Sequence, residues 1–172
     1  FKGNAVVNSD IKEISLSDYK GKWKVLFFYP LDFTFVCPTE ITAFSDKIDL
    51  FKNLNCEVIG CSVDSEFSHL AWTKQPRNDG GLGEIAYPLL ADLTKEVARS
   101  YGALMPGGDV AFRATYIIDD NNIVQHASIN NLSVGRNVEE VARLVDGYQY
   151  TAKHGEVCPA GWNKGADTMK PD

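Results

Sequence analysis

The apolar run Val25-Leu26-Phe27-Phe28-Tyr29, closed by Pro30, is the feature that most narrows the folds open to this chain. It falls well short of the roughly 18 apolar residues that would suggest a membrane span. A continuous apolar run of this length reads as a strand buried on both faces, in the middle of a sheet covered by helices. Pro30 ends it, because proline cannot donate to a ladder. A second buried strand is expected from Glu57 to Val63. Between the two, Ile41, Phe44, Ile48 and Phe51 recur at helical spacing. Strand, helix, strand is the start of an α/β domain.

The rest of the chain keeps that alternation. Residues 5–7 and 11–16 read as short strands around an Asn-Ser-Asp turn, and residues 66–74 and 94–101 as helices. Asn78-Asp79-Gly80-Gly81-Leu82-Gly83 is a loop by composition. Thr115 to Ile118 and Ile123 to Ala127 flank Asp119-Asp120-Asn121-Asn122, which predicts a hairpin. Val138 to Val145 carries the apolar stripe of a closing helix. The expected division is one domain over 1–150 and a polar tail over 151–172.

Charge and cysteine usage exclude several functions. With 17 basic and 23 acidic residues the net charge is −6, which argues against nucleic acid as a ligand. Four cysteines in 172 residues are too sparse for a disulfide-stapled scaffold, and none forms Cys-x-x-Cys. The histidines His69, His126 and His154 are scattered, so neither a metal nor another cofactor is expected. The chain starts at Phe1 inside sequence that already reads as folded, so both natural ends, and any targeting segment, are expected to lie outside it.

Chemistry concentrates at Cys37. It follows a strand and a short loop, Pro30-Leu31-Asp32-Phe33-Thr34-Phe35-Val36-Cys37, and stands where Pro38, Thr39 and Glu40 open a helix. Free N–H groups and the helix dipole favour a thiolate at such a place. Thr34, three residues earlier, can place a hydroxyl beside the sulfur as donor to the thiolate or to a peroxide oxygen, and Pro30 can shield and shape the turn.

The pattern Pro-x-x-x-Thr-x-x-Cys, complete in Pro30, Thr34 and Cys37, resembles the active-site motif of the peroxiredoxins. Cys37-Pro38-Thr39-Glu40, Gly60-Cys61-Ser62-Val63-Asp64-Ser65, His69-Leu70-Ala71-Trp72 and Gly155-Glu156-Val157-Cys158-Pro159-Ala160-Gly161-Trp162 look like the typical 2-Cys subgroup. The resemblance covers nearly the whole chain. It implies a thioredoxin-like α/β fold with a central mixed sheet flanked by helices and an N-terminal extension. It also implies a peroxidase acting on hydrogen peroxide and organic hydroperoxides, recycled by thioredoxin.

By the same resemblance Arg113 is the active-site arginine, and Glu40 orients it through an ion pair. Arg136 is a second candidate for that network. Cys158 is the resolving cysteine, supplied by the partner subunit in typical members. Four cysteines allow three complete pairings, and spacing does not choose among them. Relatives of this kind form homodimers and decamers, and some oligomers act as holdase chaperones, the alternative reading. A dithiol oxidoreductase fits poorly without Cys-x-x-Cys. Gly80-Gly81-Leu82-Gly83 resembles a motif of overoxidation-prone members, whose Tyr-Phe C-terminal helix is not part of this chain. Cytoplasm is the expected setting for reduced reactive thiols, with an organellar form that has lost a presequence as the alternative.

A magnitude divides the roles. Lowering a thiol pKa from about 8.5 to about 6 raises the thiolate fraction near neutral pH roughly 30-fold. It also weakens nucleophilicity roughly tenfold, with a Brønsted coefficient of about 0.4–0.5. The net gain is a few-fold, so a fast peroxidase must also orient the peroxide and stabilise the leaving oxygen. Cys56, Cys61, Trp72 and Phe44 are expected as packing residues, and Glu139-Glu140 as a solvated helix face.

Overall fold

The computed structural model describes residues 1–171. They fall into two compact units, Phe1 to Arg136 and Asn137 onward. The first unit is built on a seven-stranded mixed sheet in the order β2-β1-β5-β4-β3-β6-β7. The strands are β1 Lys2–Val7, β2 Asp10–Ser15, β3 Trp23–Phe28, β4 Cys56–Ser62, β5 Leu89–Ala91, β6 Arg113–Ile118 and β7 Val124–Asn130. Helices α1 Cys37–Asp46 and α2 Ile48–Lys52 connect β3 to β4, which pair in parallel. Helix α3 Glu66–Lys74 then leads toward β5, parallel to β4, while α4 Glu96–Ser100 precedes β6. The thioredoxin-like α/β class expected from the sequence is therefore the one observed, with β1 and β2 as the N-terminal extension.

The apolar run lies in β3 at the middle of the sheet, between β4 and β6. Every residue from Lys24 to Tyr29 is buried, as a strand covered on both faces requires. Leu26 and Phe28 enter a core with Ile59, Cys61, Leu90 and Tyr116. Phe27, on the opposite face, stacks on Phe44 of α1 with ring centroids 4.4 Å apart. Lys24 is the polar exception in β3. Its Nζ donates to the Asp119 carbonyl at 2.8 Å and the Asn122 side chain at 2.7 Å, so the buried ammonium is satisfied.

Two expectations change. The apolar spacing from Ile41 to Phe51 suggests one helix, but the chain breaks at Lys47 into α1 and α2. The strand β5 had no sequence signal, since three residues carry no measurable periodicity. The glycine-rich loop is also less free than its composition suggests. A Cβ on Gly81 would lie 2.0 Å from the Gln75 carbonyl oxygen. Trp72 Nε1 donates to the Gly80 carbonyl at 2.9 Å, and Leu82 is fully buried. Arg77 joins this loop to the end of α1, with both terminal nitrogens on the Asp46 carboxylate at 3.0 and 2.9 Å.

The second unit is the helix α5 Val138–His154 and the segment after it. Asn137 caps the helix by accepting from the Glu140 N–H at 3.1 Å. Glu139 and Glu140 in its first turn, and Lys153 and His154 in its last, suit the dipole. Gly155, at φ 66°, ends it in the left-handed conformation that glycine adopts without strain. The sequence boundary at 150/151 thus falls inside α5. Val157 and Met169 pair as a short antiparallel bridge, and Trp162 is buried.

Candidate active site

Pro30 has no N–H, so the β3 line of bonds closes at Tyr29, whose N–H reaches the Cys61 carbonyl at 3.0 Å. The buried Pro30 then turns the chain into the loop that delivers Cys37. Cys37 is the first residue of α1, with Pro38 behind it, and is 1% exposed. The helix start supplies fewer free donors than its position suggests. Pro38 has no N–H, and those of Thr39 and Glu40 both turn back to the Val36 carbonyl, at 3.1 and 3.4 Å.

A guanidinium faces the sulfur instead. Arg113 opens β6 and is 4% exposed. Its Nη1 lies 3.2 Å from Cys37 Sγ and 2.8 Å from Glu40 Oε2, while its Nε donates to the Leu132 carbonyl at 2.8 Å. Glu40 stands one turn after Cys37, on the same helix face. Its Oε1 accepts from the Arg136 backbone N–H and Nε, both at 2.9 Å, and its Oε2 from Arg136 Nη2 at 3.0 Å. Arg136 also donates to the Ala114 carbonyl at 2.9 Å and lies over the Phe27 ring, 4.9 Å from its centroid. Burial pushes the Arg136 guanidinium below its ordinary value, and Glu40 works against that shift.

Two guanidinium groups and one carboxylate thus meet beside the sulfur, all with side chains 4% exposed or less. The cluster has one positive charge in excess, in a setting where solvent does little to screen it. That arrangement suits an anion at the position of Sγ or of an oxygen leaving it. Thr34 is placed differently from the sequence expectation. Its hydroxyl donates to the Leu31 carbonyl at 2.9 Å, so what it offers outward is its lone pairs.

Sequence reasoning missed the support beneath this loop. Asp32 is buried and accepts from Tyr29 Oη at 2.8 Å, Ser68 Oγ at 2.8 Å and His69 Nδ1 at 2.7 Å. His69 Nε2 faces the Leu90 carbonyl at 3.1 Å, so both ring nitrogens meet acceptors, an arrangement that favours the doubly protonated ring. Burial pulls the imidazole down, but the hydrogen bond and charge of Asp32 outweigh it and the net shift is upward. The usable signal was a histidine and an aspartate within otherwise apolar surroundings, without periodic spacing to link them.

That shift carries a pH dependence. A histidine whose folded pKa lies above its unfolded value near 6.5 stabilises fully below about pH 6.5. The contribution is lost as pH rises through the folded value. Denaturant titrations stepped upward from pH 6 are expected to show a decline that His69→Leu flattens. An equal decline in the variant would contradict this account of the pair.

The remaining cysteines divide by environment. Burial pushes the Cys56 thiol up to about 12 and the Cys61 thiol well above its ordinary range. Both are packing residues, as are Trp72 and Phe44, each 0% exposed. Cys158, in the second unit, is half-buried and lines a cavity of about 360 Å³ with Arg143, Gly147, Tyr148, Pro159 and Trp162. Among the described residues, no group of three or more His, Cys, Asp or Glu side chains is arranged to hold a metal.

A family model described as "AhpC/TSA family" matches residues 1–127, and one described as "C-terminal domain of 1-Cys peroxiredoxin" matches residues 147–172. The stretch under the second carries Cys158, a cysteine besides Cys37. The chain is 58% identical over 171 residues to the human "Thioredoxin-dependent peroxide reductase, mitochondrial", covering 99% of this chain and 67% of that protein. It is 57% identical over 172 residues to rat "Peroxiredoxin-2", covering 100% of this chain and 87% of that one. Among solved structures, the reduced 2-Cys peroxiredoxin of Plasmodium vivax superposes with a TM-score of 0.97 at 47% identity, covering 100% of this chain and 90% of that chain. The mitochondrial 2-Cys peroxiredoxin of Plasmodium falciparum gives a TM-score of 0.87 at 42% identity, covering 92% and 95%.

Proposed function

The chain belongs to the AhpC/TSA family, the peroxiredoxins, and from that premise we propose that Cys37 is the sulfur that reduces the peroxide and Cys158 the one that resolves it. The enzyme is a thiol peroxidase that takes its electrons from thioredoxin. The observation that carries the assignment is the 3.2 Å approach of Arg113 Nη1 to Cys37 Sγ, with Arg113 held by Glu40.

In the first step the Cys37 thiolate attacks one oxygen of the hydroperoxide. The O–O bond breaks, the sulfur gains OH, and the other oxygen leaves as RO⁻ and takes a proton. Arg113 faces both the attacking sulfur and the charge that develops as the bond breaks. Glu40 fixes its orientation, and Arg136 fixes Glu40. Thr34, with its hydrogen committed to Leu31, accepts from the peroxide O–H, and Pro30 shapes the loop.

In the second step the Cys158 thiolate attacks the sulfenic sulfur. A disulfide forms and hydroxide leaves, taking a proton to become water. Two electrons from the thioredoxin dithiol then restore both thiols. We assign the disulfide to two different copies of the chain. The edge strand β7, with Val124 46% and Ile129 52% exposed, offers an unpaired ladder for a second copy. Exposed Leu31, Phe33, Phe35 and Phe67 provide an apolar surface for assembly of dimers into a decamer. The holdase alternative draws no support from the site or the relatives. Some relatives carry the word mitochondrial in their names and others do not, and the proposal covers a cytosolic and an organellar setting alike.

Non-reducing electrophoresis tests the assignment. One equivalent of hydrogen peroxide is expected to convert the chain to a covalent dimer, and thioredoxin with its reductase to return it to monomer. Cys158→Ser is expected to accept a single oxidation without forming that dimer. A covalent dimer of the same mobility in Cys158→Ser would overturn the role given to Cys158.

A further inference from the structure

We infer that Arg143 is a positioning residue for the second step: it sets the charge environment in which Cys158 becomes a nucleophile. This rests on the assignment of Cys158 as the resolving cysteine, and the chemistry of that step fixes what is needed. The thiolate, not the thiol, attacks the sulfenic sulfur, so the S–H proton must leave and the charge left behind must be tolerated.

The surroundings of Cys158 mostly oppose that charge. Its Sγ lies 3.8 Å from the Gly147 carbonyl, where an S–H is a donor and a thiolate has nothing to give. Burial raises the thiol pKa, and the Asp146 carboxylate raises it further. Tyr148, also on the cavity wall, brings no positive charge. On the tail side, Glu156 is engaged by Thr168 and Tyr150. Arg143 is the cation acting in the other direction.

Geometry places it to do so. Arg143 and Gly147 are four residues apart on α5, so they share a face about one helical turn, or about 6 Å, apart. Cys158 sits against the carbonyl of the second, and both residues line the same cavity of about 360 Å³. The guanidinium is fixed rather than free. Its Nε and Nη2 hold the Glu140 carboxylate at 2.5 and 2.8 Å, and its Nη1 donates to the Trp162 carbonyl at 2.6 Å. The last bond joins the helix to the tail segment that carries Cys158, so the same side chain anchors that segment and lines the cavity that Cys158 also lines. Burial and Asp146 favour the protonated thiol of Cys158, and Arg143 favours its thiolate.

Alkylation of Cys158 by iodoacetamide, followed across pH 6–10 in full-length Cys37→Ser protein and localised by peptide mass spectrometry, tests this directly. The buried Cys56 and Cys61 serve as unreacted internal controls. Adding Arg143→Gln is expected to move the profile to higher pH and slow alkylation at neutral pH about two- to threefold, the scale of a screened surface charge. Asp146→Asn is expected to move it to lower pH. Arg143→Lys keeps the charge without the fork and is expected to stay near the parent profile. The proposal is overturned if Arg143→Gln leaves the profile in place or moves it lower, or if Arg143→Lys is as slow as Arg143→Gln. Failure of the resolving role itself would show separately, as the covalent dimer persisting in Cys158→Ser.

Discussion

Cys37→Ser protein is expected to consume no hydroperoxide above the background of the assay, while remaining folded. The substitution exchanges one atom at a site that is 1% exposed, so the packing at the start of α1 changes little. The chemistry changes completely, because the two electrons that break the O–O bond come from the sulfur. A hydroxyl is hardly ionised near neutral pH and has no comparable path to a sulfenic acid. Losses on the order of 10⁴-fold or more accompany removal of a nucleophile that acts in concert with its neighbours. The two buried thiols do not compensate: burial pushes Cys56 up to about 12 and Cys61 well above its ordinary range. Peroxide disappearance coupled to thioredoxin and its reductase is the measurement. Steady turnover by this variant would remove Cys37 from the mechanism.

Arg113→Met is expected to cost about 10²–10³-fold in the rate of the peroxide step, the usual loss when one charged donor at a developing anion is removed. The methionine side chain keeps an unbranched apolar stem but lacks every donor that holds the site: Nη1 to Cys37 Sγ and Glu40, and Nε to Leu132. A second consequence follows from burial. Glu40, with a side chain 2% exposed, would keep Arg136 but lose Arg113, and breaking a buried ion pair typically costs about 3–5 kcal/mol. Arg136 remains, so the lower end of that range is expected. Arg113→Lys separates charge from geometry. It keeps a cation but cannot reach sulfur, carboxylate and carbonyl from one planar fork, so its rate is expected between those of wild type and Arg113→Met. Rapid-mixing kinetics at saturating reductant, read beside denaturant midpoints, distinguishes the two effects. An unaltered peroxide rate in Arg113→Met would show that the 3.2 Å contact has no part in the reaction.

Much of this site was legible because it is local. Pro30, Thr34, Cys37 and Glu40 lie within one strand end, one loop and one helical turn, and each has a residue-level reason for its place. Arg113 and Arg136 reach the same point from β6 and the segment after β7, across separations that no spacing rule encodes. Family resemblance alone points to them in the sequence, and their meeting with Cys37 follows from the sheet order that puts β6 beside β3. The Asp32–His69 pair escaped for the same reason. Thr34 shows the opposite limit: the residue was legible, but the direction of its hydroxyl was a matter of the local turn. In the fold, the long apolar strand and the helix over 66–74 were clear. The three-residue β5 was invisible, and the α1–α2 break at Lys47 lies within an unbroken helical pattern.

The most direct test is to expose reduced Cys158→Ser protein to one equivalent of hydrogen peroxide in the presence of a sulfenic-acid trap such as dimedone, and to map the adduct. With the second thiol gone, the first oxidation product has nowhere to go, so the account predicts a single adduct on Cys37 and none on Cys56 or Cys61. An adduct on either of those, or an unmodified Cys37 after the peroxide has been consumed, would contradict it.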